Sequence, residues 1–270
     1  MKFKLYIVLI ISVLVSSCGE YSKLLKSTDS ELKKEKAKEY YEAGQYVKAS
    51  ELLSQVLARY RATEEAEELN WINAQCSYKM YDYVLAGSYF KTFAEIYPYG
   101  IYAEDANFLA ALCDYNLSPN AELDQSNSIN AIEGFSLFIN KFPLSEKRTE
   151  AENYIKILEE RLVEKSYLSA RLYYDMDQYK AAVTALENSL KEYPETKYRE
   201  EMMFLKLNSI FLYAEKSITS RQKERYQTAL DEYYSFIEEF PESIYTKEIE
   251  RIYQVTGSYL KIDMSNVVTN

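Results

Sequence analysis

The chain has 270 residues, 42 acidic against 32 basic side chains, a formal net charge of −10 and no histidine. Without histidine, the commonest general base, the Ser-His and Cys-His nucleophile pairs and most zinc sites are excluded. The acidic balance excludes a phosphate-backbone binder, and none of the 6 glycines is spaced as a phosphate loop. Apolar residues make up 47 %, enough for a core. Only 6 Gly and 5 Pro, with 28 Tyr, predict long helices and few tight turns.

At the N-terminus, Lys2 and Lys4 precede an apolar run of 11 residues, Leu5 to Val15, broken only by Ser12. At ~1.5 Å per residue this is too short for a bilayer core of about 30 Å. It has the length of a signal-peptide apolar region. Leu14-Val15-Ser16-Ser17-Cys18-Gly19 resembles a bacterial lipobox, which is cut before the cysteine and acylated on it. The bland alternatives are an ordinary cleavage site with an incidental cysteine, or an uncleaved anchor. The expectation is a signal peptide over 1–17 and lipidation at Cys18, with 18–30 as a polar tether. Several acyl chains would hold stably where one alone is marginal. Losing Lys2 and Lys4 takes the formal charge from −10 to −12. Cys76 and Cys113 remain; a bridge is permitted after export, but two buried, apolar thiols on separate helices is the preferred reading.

The rest of the chain repeats. Gly44-Gln45-Tyr46…Ala49, Tyr81-Asp82-Tyr83…Ala86, Asp177-Gln178-Tyr179…Ala182 and Glu224-Arg225-Tyr226…Ala229 share one pattern, with Ser128…Ala131 as a degenerate copy. Seven residues after each anchor stand Leu53, Phe90, Phe135, Leu186 and Tyr233, and fourteen after stand Tyr60, Tyr97, Phe142, Tyr193 and Phe240. Offsets of three, seven and fourteen keep one helical face. Pro98, Pro143, Pro194 and Pro241 then end four of the five helices. Ser145, Thr196 and Ser243 are placed to N-cap the next one. Before each turn a partner helix carries Tyr41, Tyr78, Tyr115, Tyr174 or Tyr213, with Ala37, Ala74, Ala111, Ala170 or Ser209 four residues earlier.

Each unit is thus a helical hairpin. Repeats 1–3 occupy 31–143, repeats 4–5 occupy 144–241, a capping helix 242–262, and 263–270 is a tail. Insertions of 8 residues fall in repeats 3 and 5. The first is Ser, Pro and Asn-rich, hence a loop; the second, charged, extends either helix. An excess of 14 residues before Tyr174 predicts one long helix over 145–175, standing proud as a docking surface.

No catalytic or metal constellation stands out. Glu64/Glu65 and Glu159/Glu160 are adjacent on helices and point apart. Asp175-Met176-Asp177 occupies a repeat turn. The chain is expected to be no enzyme, with no cofactor beyond the lipid on Cys18. Stepping back along the tyrosine face yields Trp71 and Tyr78, then Phe108 and Tyr115, then Tyr167, Arg171 and Tyr174. Such a stripe suits an extended peptide with aromatic side chains, Arg171 taking its terminal carboxylate. The same spacing suits rings packed between neighbouring hairpins.

These hairpins resemble tetratricopeptide repeats, which implies an all-α, right-handed superhelical solenoid of about five hairpins with a capping helix. The aromatic-Pro-x-Ser/Thr endings, the lipobox and the repeat count narrow the resemblance to the BamD family. That resemblance implies a non-enzymatic lipoprotein scaffold on the periplasmic face of the outer membrane. It implies N-terminal repeats that bind the C-terminal signals of unfolded outer-membrane proteins. It also implies C-terminal repeats that dock the periplasmic domains of the barrel-forming subunit, together with other assembly lipoproteins. Nucleic acid is not an implied partner. Two alternatives remain: another periplasmic tetratricopeptide envelope scaffold, usually with an N-terminal coiled coil, and a glycan-import lipoprotein, usually a far longer chain. Cys18→Ala is expected to abolish acyl labelling and block lipoprotein-peptidase cleavage; persistent labelling would refute lipidation at this residue.

Overall fold

The computed structural model describes residues 20–262; the signal peptide, Cys18 and the tail lie outside the described residues. Among the described residues every element is a helix, and none is long and apolar enough to cross a membrane. In chain order these are α1 (Ser30–Glu42), α2 (Tyr46–Tyr60), α3 (Ala66–Lys79), α4 (Tyr83–Ile96), α5 (Ala103–Leu117) and α6 (Ser126–Lys141). There follow α7 (Arg148–Asp175), α8 (Tyr179–Glu192), α9 (Arg199–Glu215), α10 (Thr219–Glu239) and α11 (Thr246–Leu260). Helices adjacent in sequence pack on one another from α1 to α6 and from α8 to α11, as the repeat predicts. The chain divides into two compact units. One runs to Pro119 and resumes over Gln125–Leu158; the other takes Asn120–Asp124 and the chain from Glu159.

The hairpin turns of repeats 1, 2 and 4 share one backbone device. Gly44, Tyr81 and Asp177 all adopt positive φ, at 72°, 61° and 59°. The next amide then reaches back across the helix end: Gln45 N–H to Tyr40 O at 2.8 Å, Asp82 to Ser77 at 3.0 Å, Gln178 to Tyr173 at 2.9 Å. This left-handed closure satisfies carbonyls that the helix end leaves orphaned. Glycine adopts it freely, whereas an L side chain costs about 1–2 kcal/mol there. Only repeat 1 uses glycine. In repeat 2 the Asp82 carboxylate adds an N-cap, accepting from Leu85 N–H at 3.1 Å.

The second helices end where expected, at Tyr97, Phe142, Tyr193 and Phe240, each directly before its proline. The serine and threonine caps differ from expectation. Ser145, Thr196 and Ser243 accept instead from the amides two residues on, those of Lys147, Tyr198 and Tyr245, at 3.0, 3.2 and 3.0 Å. They close a short turn that leads into helices starting at Arg148, Arg199 and Thr246.

Three other expectations change. The polar tether contains a helical stretch over 20–26, whose Tyr21, Leu24 and Leu25 pack on the first hairpin. Its pattern is legible once Leu24 and Leu25 are read as one face, and Tyr21 gains a hydroxyl bond to Glu51 Oε2 at 2.6 Å. The long helix, α7, has 28 residues but does not stand proud. Ala151 and Leu158 on its first half are fully buried against the third hairpin, joined by Tyr154 and Ile155. Its second half carries Tyr167 and Ala170 into the core of the fourth hairpin. One helix therefore closes one repeat and opens the next, which accounts for the excess residues. Finally, the repeat 5 insertion lengthens both helices, α9 to Glu215 and α10 from Thr219.

The alanines after each anchor, Ala49, Ala86, Ala131, Ala182 and Ala229, have no exposed surface. Ala182→Phe is therefore expected to destabilise by about 1–3 kcal/mol in denaturant unfolding; an unchanged midpoint would refute the helix pairing. Tyr81, which is exposed, is expected to gain about 1 kcal/mol on replacement by Gly. A loss of stability in Tyr81→Gly would refute the left-handed turn.

Candidate functional site

The positions seven residues before the recurring tyrosines are Lys34, Trp71, Phe108 and Tyr167. Each is covered by the residue immediately preceding the next first helix. Trp71 stacks on Tyr102 at 4.7 Å and 5°. Tyr167 stacks on Tyr198 at 4.3 Å and 1°. Lys147 Nζ lies over the Phe108 ring at 6.0 Å, and Lys147 also pairs with Asp105. In repeat 1 an ion pair replaces the rings: Lys34 Nζ is 2.7 Å from Glu65 Oε1 and 2.6 Å from Glu31 Oε1. Hydrogen bonds to those two carboxylates hold the Lys34 ammonium above its ordinary pKa.

The same device corrects the register of repeat 5. Phe204 is the sixth residue of α9, as Trp71 is of α3 and Phe108 of α5. It stacks on Tyr245 at 4.1 Å and 3°. Counting on from Phe204, the equivalent of Tyr78 is the buried Phe211, two residues before Tyr213. The lengthened α9 allowed the tyrosine to drift past its expected place.

The candidate stripe is thus not one exposed wall. Phe108 and Tyr167 are only 4 % and 5 % exposed, and they pack between hairpins. Trp71, Tyr78, Tyr115 and Tyr174 are half-buried. Trp71 also meets Phe90 and Phe93 at 5.6 and 5.7 Å. Tyr78 meets Tyr83 at 5.6 Å, and Tyr174 meets Tyr179 at 6.1 Å, each across a hairpin turn. Tyr115 lies 4.4 Å from Tyr154. The Tyr174 hydroxyl accepts from Asn208 Nδ2 at 2.8 Å. Arg171 is exposed but committed: it donates to the Tyr167 hydroxyl at 2.7 Å and to Glu201 Oε1 at 3.0 Å, with Asp175 at 3.6 Å. A peptide carboxylate would have to displace Glu201.

A cavity opens elsewhere in the first unit. A cleft of about 790 Å³ lies between α2 and α4, with α3 as its floor. Asn70 and Asn73 sit on that floor, one helical turn apart. Asn73 is buried and accepts from Ser50 Oγ at 3.3 Å. Asn70 Nδ2 donates to Ala66 O at 2.7 Å and to the Tyr97 hydroxyl at 3.3 Å. Leu57, Tyr89 and Ile96 provide apolar wall, and Arg61 stands at the rim. Arg61 makes no ion pair among the described residues. Such a site offers amides to a main chain, apolar surface to a side chain, and a cation to a carboxylate. The sequence reading followed only the tyrosine face of the first helices and missed it. The available signal was the pair Asn70 and Asn73 one helical turn apart, on a face of the first helix other than the tyrosine face.

Cys76 and Cys113 are both free and buried, as preferred from the sequence. Burial pushes each thiol up to about 12, so neither supplies a thiolate near neutral pH. Among the described residues no cluster of carboxylates and cysteines could hold a metal ion.

Tandem hairpins with small-residue contacts, left-handed turns and aromatic-proline stops define a tetratricopeptide-type helical-repeat protein. The chain belongs to the YfiO (BamD) family of outer membrane lipoproteins, whose model matches residues 27–210 and 173–256. None of the curated proteins matches it. Among solved structures it is similar to the TPR2AB-domain:pHSP90-complex of yeast Sti1, at 15 % identity over 84 % of this chain and 98 % of that one, with a TM-score of 0.37.

The two thiols provide a direct check. In the folded protein Cys76 and Cys113 should resist a maleimide at pH 7.5 and react only after denaturation. Rapid labelling of the native state would show that the helix pairs around them open.

Proposed function

We propose that this protein is a non-enzymatic, lipid-anchored scaffold of the outer-membrane β-barrel assembly machinery, on the periplasmic face. Family membership across both compact units is the observation that carries the reading. Anchoring is through acyl chains on Cys18. The second unit docks the periplasmic domains of the barrel-forming subunit, and the first unit captures the C-terminal signals of unfolded outer-membrane proteins.

For capture, the cleft between α2 and α4 is favoured over the aromatic stripe. Trp71 and Tyr167 of the stripe are stacked by the next hairpin, whereas the cleft has open volume and Arg61, which makes no ion pair among the described residues. An aromatic side chain would lie against Tyr89 and Leu57, main-chain groups would meet Asn70 and Asn73, and the terminal carboxylate would pair with Arg61.

Pull-down of the lipidated chain from detergent-solubilised membranes is expected to bring down the barrel-forming subunit. A division complex or a porin-like transporter in its place would contradict the reading. For the cleft, Arg61→Ala and Tyr89→Ala are each expected to weaken a synthetic barrel-protein C-terminal peptide at least about tenfold, the scale of an interface anchor. Amidating the peptide terminus should weaken binding to the wild type but barely affect Arg61→Ala. Normal binding by both folded variants would remove the cleft from the account.

A further inference from the structure

The chain enters the first unit under a tight constraint. Tyr21 is fixed between α1 and α2: its ring lies 5.6 Å from Tyr40, Lys48 Nζ is 5.3 Å from the ring centroid, and its hydroxyl bonds Glu51. Tyr40 and Lys48 flank the Gly44 turn. The N-terminal end of the 20–26 stretch is therefore at the hairpin-turn edge, not at the opposite, proline-loop edge. Only Gly19 separates Cys18 from Glu20. Two residue steps reach at most about 7 Å. Acyl chains on Cys18 would begin within that distance of Glu20, so no long tether can hold this edge away from the bilayer.

That edge has a matching surface. Val47 and Val84 are the second residues of α2 and α4, and Ile129 stands at the same repeat register; they are 67 %, 70 % and 46 % exposed. Tyr81, in the second turn, is 77 % exposed. In repeats 4 and 5 this register holds Lys180 and Gln227. A single exposed apolar residue means little, but here the three repeats of one unit agree and the other two do not. The turns of repeats 1 and 2 carry Lys48 and Lys79 against Glu42 and Asp82, and the repeat 3 segment adds Glu122 and Asp124, so charge does not draw this edge to an anionic headgroup. Tyrosine, with an apolar ring and a polar tip, suits the interface between headgroup and acyl chain, and the exposed Val and Ile side chains offer apolar surface to the acyl side. The proline-loop edge is also apolar at Tyr99 and Leu144. The 14 residues of α3, at ~1.5 Å each, place it about 21 Å away, beyond the reach of the anchor.

We propose that the hairpin-turn edge of repeats 1–3, through Val47, Tyr81, Val84 and Ile129, rests in the surface of the lipid bilayer that holds the anchor. This rests on the reading that Cys18 is acylated. The test uses the full lipidated chain in phosphatidylcholine vesicles. Variants with one introduced cysteine, Val47→Cys, Val84→Cys, Ile129→Cys, Leu144→Cys or Lys180→Cys, each carry an environment-sensitive fluorophore at that position, while Cys76 and Cys113 stay unlabelled through burial. Brominated acyl chains are expected to quench positions 47, 84 and 129 at least threefold more than 144 and 180. Equal quenching at all five, no quenching at the first three, or shielding of those three only when a protein partner is added would overturn the proposal. Mass spectrometry of the N-terminal peptide separates the causes. A lipidated Cys18 with unquenched labels refutes the membrane edge alone, and an unmodified Cys18 refutes the anchor as well.

Discussion

Within each compact unit, one pairwise contact fixes how a hairpin meets the next. A side chain on the first helix is covered by the residue that immediately precedes the following first helix. Five pairs fill this role: Lys34 with Glu65, Trp71 with Tyr102, Phe108 with Lys147, Tyr167 with Tyr198, and Phe204 with Tyr245. The chemistry changes from ion pair to cation–π to stacked rings, while the place in the repeat does not. A stacked pair contributes about 0.5–1.5 kcal/mol beyond its area. An exposed ion pair contributes less, about 0–1 kcal/mol. Lys34 is itself buried with the Tyr60 ring 5.0 Å away, but its partners Glu31 and Glu65 are 64 % and 38 % exposed, so solvent screens the pair in part.

Much of the rest follows. Because the covering residue precedes a helix start, the loop before it must be short and fixed. The proline and the Ser or Thr two residues after it do this in repeats 3, 4 and 5, and Gly100 in repeat 2. First-turn glutamates reinforce it: Ser145 donates to Glu104 Oε1 at 2.6 Å, and Ser243 to Glu200 Oε1 at 2.7 Å. A face committed to holding hairpins together is a poor place for a ligand. Binding there would cost the stacking it displaces. The cleft between α2 and α4 involves no such exchange, which is the physical reason for moving peptide capture from the aromatic stripe to it.

The repeat, its hairpins, the proline stops and the buried alanines were all legible, since each is a residue type at a fixed offset. The left-handed turn was legible at Gly44 and compatible with Asp177, a residue type that tolerates positive φ; at Tyr81 the residue type argues against the conformation adopted. The double role of α7 was hidden because a continuous helix carries no internal punctuation, so an excess of residues was visible and its packing was not. The register at Tyr213 was misread because tyrosine is so common here that a neighbouring one took the expected place. The candidate site was the least legible part. Helical spacing identifies a face but not what covers it, and the covering residues lie 31 to 41 positions away.

A double-mutant cycle on Trp71 and Tyr102, read by equilibrium unfolding alongside peptide affinity, tests this account most directly. The account predicts a coupling of about 0.5–1.5 kcal/mol between Trp71→Ala and Tyr102→Ala in stability, with peptide affinity unchanged in whichever variants remain folded. Additive effects on stability, together with a tenfold loss of peptide binding on truncating Trp71, would contradict it and return the aromatic stripe to the role of a binding groove.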